Sequence, residues 1–142
     1  MSDIRPGTRE DAAPCAAILN DWIDRTEWMP RLHSKEDVAR HYRDFVFVER
    51  EVHVLGTPPK AFIGLDKGGY VTTLYCAEPG QGRGKALLDH AKTLRPSLRL
   101  WTFIANESAR RFYIREGFTE IDRTDGDNEE NLPDICYEWG TA

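Results

Sequence analysis

Residues 70–94 read Tyr-Val-Thr-Thr-Leu-Tyr-Cys-Ala-Glu-Pro-Gly-Gln-Gly-Arg-Gly-Lys-Ala-Leu-Leu-Asp-His-Ala-Lys-Thr-Leu, and the rest of the chain is organised around them. The β-branched and aromatic run Tyr70 to Cys76 suits a pleated, half-buried surface and predicts a strand. Ala86, Leu87, Ala91 and Leu94 then recur at helical spacing, and Arg95-Pro96 closes the helix, because proline disfavours helical geometry in the residue before it.

Gly80, Gly82 and Gly84 fall at the junction of strand and helix. Such a density of glycine gives up chain entropy and strips side chains from the backbone, which makes sense where a ligand comes close. The unpaired N–H groups of a first helical turn, at the positive end of its dipole, suit an anion. Arg83 and Lys85 add positive charge to a chain whose net charge is −5. A phosphate ligand is the expectation.

Two common phosphate loops fail on spacing. The nucleoside-triphosphate loop needs a glycine where Pro79 stands and a Ser or Thr where Ala86 follows Lys85. The dinucleotide fingerprint Gly-x-Gly-x-x-Gly does not fit Gly80-Gln81-Gly82-Arg83-Gly84, and no early βαβ unit precedes it.

Further along, Asn106 to Phe118 begins with a good N-cap residue and ends on Gly117 at a C′ position, so it reads as a short helix with Ala109, Phe112 and Tyr113 on one face. Gln81-Gly82-Arg83-Gly84-Lys85-Ala86 resembles the pyrophosphate loop Gln/Arg-x-x-Gly-x-Gly/Ala of the GNAT (GCN5-related) N-acetyltransferases. The Asn106 helix resembles that family's Asn-x-x-Ala-x-x-Phe-Tyr-x-x-x-Gly-Phe segment. The two motifs stand in the family's order, one strand apart.

The resemblance implies acetyl-CoA as co-substrate, bound by Gln81, Gly82, Arg83, Gly84, Lys85 and Ala86, with Asn106 on the pantetheine amides. It also implies that the backbone of Leu74, Tyr75 and Cys76 lies along the thioester and pantetheine arm, on a strand that splays from its neighbour. Tyr113 matches the tyrosine that protonates the leaving thiolate, and its reference pKa of about 10 lies above the thiol's roughly 8.5. Many relatives carry a glutamate base on the strand before the loop. Here that strand reads Thr72-Thr73, with no carboxylate until Glu78, which leaves the base open among Glu27, His33, an acidic-loop residue and water.

The remainder of the chain is consistent with this reading. Its 142 residues suit one domain spanning 1–142, and 40% hydrophobic with 30% charged residues is ordinary for a soluble globular protein. No apolar run reaches the roughly 20 residues of a membrane span, and the start lacks a signal-peptide layout, so a cytoplasmic protein without membrane contact is expected. The acidic balance argues against nucleic-acid binding. Cys15, Cys76 and Cys136 lack disulfide or zinc spacing, and no metal is expected.

Taken in order, the elements predicted are β, α, α, three β, α, β, α, β, β. That is a mixed α/β fold with a mostly antiparallel central sheet of about six to seven strands and about four helices on its faces. Ser34 to Asp37 resembles a capping box, and Val38, Tyr42 and Phe45 continue one face of the second helix. Between the first two helices, Thr26 to His33 mixes charges with bulky apolar residues. In proteins similar to this one that connection helps form the acceptor pocket, so Glu27, Trp28, Met29 and His33 are candidates for acceptor contact, with simple packing as the alternative. Thr124 to Asp134 carries five carboxylates and reads either as a solvated loop or as one that draws a cationic acceptor to the cleft. The expected partner is a small-molecule amine, and homodimers are common among proteins resembling this one. The alternatives are a non-catalytic coenzyme A sensor and an acetyltransferase acting on a protein or peptide.

Overall fold

In a computed structural model, which describes residues 3–140, all seven strands are present. They are β1 (Ile4–Pro6), β2 (Glu51–Leu55), β3 (Ala61–Leu65), β4 (Val71–Cys76), β5 (Ser97–Phe103), β6 (Thr119–Thr124) and β7 (Asp134–Gly140). The helices are α1 (Ala12–Arg25), α2 (Lys35–His41), α3 (Phe47–Glu49), α4 (Arg83–Leu94) and α5 (Glu107–Arg115), α2 and α3 being one rod joined through a π turn at Tyr42–Val46.

The strands part into two antiparallel sheets, β1-β2-β3-β4 and β5-β7-β6. Among the described residues a single parallel bridge, Tyr70 to Arg99, joins the start of β4 to β5, with Arg99 N donating to Gly69 O at 3.0 Å. Past that bridge the two strands diverge. The Asp66-to-Gly69 turn that feeds β4 is held by the Asp66 carboxylate, which accepts from the N–H groups of Gly68 and Tyr70, both at 2.9 Å.

β3 is buried on both faces, as its run Ala-Phe-Ile-Gly-Leu requires. Ala61, Ile63 and Leu65 meet Leu87, Leu88 and Ala91 of α4 in a core that continues to Leu98, Leu100, Ile135 and Tyr137. Phe62 faces the other way, into a second core with Val52 and Val54 of β2 and with Cys15, Ile18, Val38 and Tyr42 of α1, α2 and the π turn. Truncating Phe62 to Ala is expected to cost about 3–5 kcal/mol at so enclosed a site.

One expected face is corrected. Phe45 does not continue the line of Val38 and Tyr42; it is exposed, and Val46 takes its place in the core. The π turn supplies the reason, since the extra residue it inserts rotates the helix beyond it. Phe45 turns outward to stack on His41 at 5.1 Å and beneath Arg50 at 4.9 Å. The Ser34 cap is as expected, its hydroxyl accepting from Asp37 N at 3.1 Å.

Candidate active site

The divergence of β4 from β5 creates the site. Ala77 N donates to Lys60 O at 2.8 Å, so those two residues form a directly bonded antiparallel pair. Alternation along the register then makes Tyr75 with Phe62, and Thr73 with Gly64, the other bonded pairs. The N–H groups of Leu74 and Cys76 therefore point away from β3, toward the side from which β5 has withdrawn. Two donors roughly 7 Å apart line the opening.

Below them, Gly80 and Gly82 adopt φ of 89° and 76°, in the left-handed region that glycine enters without penalty. Gly82 is the N-cap of α4, and the first intrahelical bond runs from Ala86 N to Gly82 O at 3.1 Å. The N–H groups from Gly82 to Lys85 therefore have no partner within the helix. Arg83 sits among them with its Nη1 buried and lacking a hydrogen-bond acceptor, 3.6 Å from Glu78 Oε1. A diphosphate would satisfy both the bare turn and this guanidinium. Gln81 is exposed at the rim, and Ala86 is half-buried behind the turn. The Lys85 ammonium is engaged elsewhere, 3.1 Å from Asp89 and 3.1 Å from Glu116.

The opposite wall is α5. Asn106 caps it, its Oδ1 accepting from Ala109 N at 3.2 Å. Gly117, at φ 94°, ends it, with Phe118 N bonded to Tyr113 O at 3.0 Å. Tyr113 is buried among Phe112, Phe118 and Tyr137, with ring centroids 5.2, 5.6 and 6.3 Å away. No residue among those described takes its hydroxyl as a hydrogen-bond partner. Burial, with lesser contributions from Tyr75 and Cys76, holds the phenol above its ordinary pKa. Burial likewise pushes the Cys76 thiol up.

β4, the glycine loop and α5 enclose a cleft of about 480 Å³ reached by Leu74, Tyr75, Cys76, Arg83, Asn106 and Tyr113. A second cavity of about 600 Å³ lies between α1, α2 and the acidic loop. Tyr75 and Phe103 line both cavities and form the partition between them. Of the residues singled out on the α1–α2 connection, Met29 and His33 line the second cavity. Trp28 is packed edge-on between Trp22 and Phe103, at 5.7 and 5.8 Å, and stiffens the partition. Glu27 lines neither space.

Three carboxylates face the second cavity: Asp37, Glu129 and Glu130. Asp37 is paired with Arg40 at 2.7 Å and Glu129 with His33 at 2.9 Å. Glu130 has no ion-pair partner among the described residues, and its charge helps burial push the Tyr75 phenol up to about 12. Phe103, Trp22 and Glu116 carried no signal at the level of sequence, because each enters the site only through the path of β5, α1 or the end of α5. Among the described residues, no group of three or more His, Cys, Asp or Glu is placed to hold a metal ion, and no helix is long and apolar enough to cross a membrane.

No family model matches the chain. It is similar to the peptidyl-lysine N-acetyltransferase YiaC of Escherichia coli, 25% identical over 134 residues, covering 87% of this chain and 88% of that protein. Its fold is shared with apo YjaB of Escherichia coli, at a TM-score of 0.79 and 24% identity, covering 99% of each chain. It is also shared with YncA, described as a putative acetyltransferase, from Salmonella typhimurium with its cofactor acetyl-CoA, at 0.71 and 18%, covering 99% and 94%. With the glycine loop and the Asn106 helix facing each other across the gap between the sheets, the chain has the fold of the GNAT-type N-acetyltransferases.

Proposed function

We propose that the protein transfers an acetyl group from acetyl-CoA to the primary amine of a small-molecule or amino-acid-like acceptor, by direct attack on the thioester. The observation that carries this reading is the meeting of two cavities at Tyr75 and Phe103, one lined with anion-binding backbone and the other with carboxylates. The first suits the diphosphate and pantetheine arm; the second suits a cationic amine.

Acetyl-CoA supplies an activated acetyl thioester, whose carbonyl carbon gains a C–N bond as the C–S bond breaks. The N–H groups of Leu74 and Cys76 point to where negative charge would gather on the carbonyl oxygen. Tyr113, protonated and unpartnered, gives its proton to the departing sulfur. The acidic wall holds the acceptor; its ammonium sheds one proton to water or to one of the titratable groups there, Glu129, Glu130 and His33, and the second proton, lost as the C–N bond forms, restores the Tyr113 hydroxyl through water.

A protein lysine is the second reading. It is favoured by the similarity to a peptidyl-lysine N-acetyltransferase and by the exposure of His33 and Glu129, each more than half exposed at the cavity mouth. The test is thiol release from acetyl-CoA across polyamines, amino acids, aminoglycosides and lysine peptides. Turnover confined to free amines supports the first reading, and turnover confined to peptides supports the second. Tight binding of acetyl-CoA with no turnover of any acceptor indicates a sensor.

A further inference from the structure

Lys85 and Glu116 are each at the unfavourable end of a helix. Lys85 lies in the first turn of α4, where the dipole repels a cation, and Glu116 caps the C-terminal end of α5, where it repels an anion. Glu116 is also buried, its side chain only 6% exposed, at a cost that must be offset by pairing. The two misfits answer each other: Lys85 Nζ lies 3.1 Å from Glu116 Oε1, thirty-one residues away in sequence. Arg115 Nε approaches the other carboxylate oxygen at 3.7 Å, and Lys92 Nζ donates to the Glu116 carbonyl at 2.7 Å. Lys92 lies in turn over the rings of Phe118 and Trp139, at 5.8 and 5.2 Å.

This knot sits on the wall of the cofactor cleft and joins the helix that offers the bare N–H groups to the helix that carries Asn106 and Tyr113. We propose that Glu116 is a positioning residue for coenzyme A: through Lys85 it locks the first turn of α4 against the end of α5 and so sets the width of the cleft. The Lys85 ammonium then serves as a strut, and the diphosphate is met by backbone N–H groups and Arg83. The inference rests on the coenzyme A reading of the cleft and goes beyond it in giving a role to a buried acid beside an anion site.

Two consequences of removing the acid have opposite signs. If Glu116 were only a nearby negative charge, Glu116→Gln would tighten coenzyme A binding by relieving repulsion. If it is a strut, Glu116→Gln loosens the first turn and weakens binding.

The experiment is calorimetric titration of coenzyme A into wild type, Glu116→Gln, Lys85→Met and the double variant, with KM and kcat for acetyl-CoA alongside. The expected result is a Kd and KM raised about tenfold in each single variant, kcat within about twofold, and a double variant no worse than either single one. Glu116→Asp should recover part of the loss. An unchanged or lowered Kd in Glu116→Gln overturns the proposal, as does a lowered Tm with Kd unchanged, the mark of a merely structural pair. Lys85 is mostly exposed, so Lys85→Met breaks the same contact from its other side should Glu116→Gln fail to fold. Failure of wild type to bind coenzyme A overturns the cofactor reading itself, whereas binding that is indifferent to all the variants overturns this inference alone.

Discussion

His33 Nε2 lies 2.9 Å from Glu129 Oε1, so the connection between α1 and α2 is tied to the acidic loop ninety-six residues further on, across the mouth of the second cavity. Glu129 raises the imidazole above its ordinary value of 6.5, and Asp37 and Glu130 act in the same direction. A raised pKa means that the tie is fully present below 6.5 and is lost as pH rises through the higher folded value. The amides of residues 125–133 should therefore lose protection from hydrogen exchange as pH rises above 6.5, after correction for intrinsic rates. In His33→Ala the dependence should vanish. Equal slopes in the two proteins would show that the tie does not hold the loop.

Tyr113→Phe separates the chemistry from the fold. The ring keeps its neighbours Phe112, Phe118 and Tyr137, and the lost hydroxyl leaves no protein group unpaired. Thermal unfolding should shift by no more than about 2 °C. Loss of a general acid should lower kcat by about a hundredfold with little change in KM for acetyl-CoA. An unchanged kcat would remove Tyr113 from the reaction.

Gly84→Ala distinguishes helix from ligand. A Cβ there would stand 3.6 Å from Cys76 Sγ and 3.6 Å from Phe112 Cζ, ordinary contact distances, in a residue with helical backbone. Replacing glycine by alanine in a helix is worth about 1 kcal/mol, so the free protein should melt a few degrees higher. Cys76 and Phe112 both line the cofactor cleft, so the methyl group takes up space there, and coenzyme A affinity should fall severalfold in titration. Tighter binding would mean that the diphosphate does not approach this turn.

Glu130→Gln addresses the acceptor. As the carboxylate of the second cavity without an ion-pair partner among the described residues, it is free to meet an ammonium group. KM for a cationic acceptor should rise about fivefold, roughly 1 kcal/mol, with KM for acetyl-CoA unchanged. The wild-type preference for cationic over neutral acceptors should weaken with added salt. If neutral and cationic amines are affected alike, the cavity does not select by charge.

Much of this site is local in sequence and was legible there. Gly80 and Gly82 announce a backbone that bends through positive φ, while Asn106 and Gly117 mark the ends of α5 through capping chemistry that acts within three or four residues. Strand and helix order followed from periods of two and of about 3.6, which also act over short range. The amino-acid sequence by itself therefore determined the element order, the glycine-rich turn that opens α4 and the tyrosine opposite it.

Tertiary structure decided the rest. Whether β4 and β5 stay paired depends on the packing of two sheets, and it is their parting that frees the N–H groups of Leu74 and Cys76. The π turn that puts Val46 in the core instead of Phe45 is set by the fit of α2 over β2 and β3, which helical spacing does not encode. Phe103 at the partition, Glu129 on His33 and Lys85 on Glu116 are contacts between segments distant in the chain. Pattern and propensity report what a residue prefers beside its near neighbours; which distant side chain meets it is fixed only when the whole chain has packed.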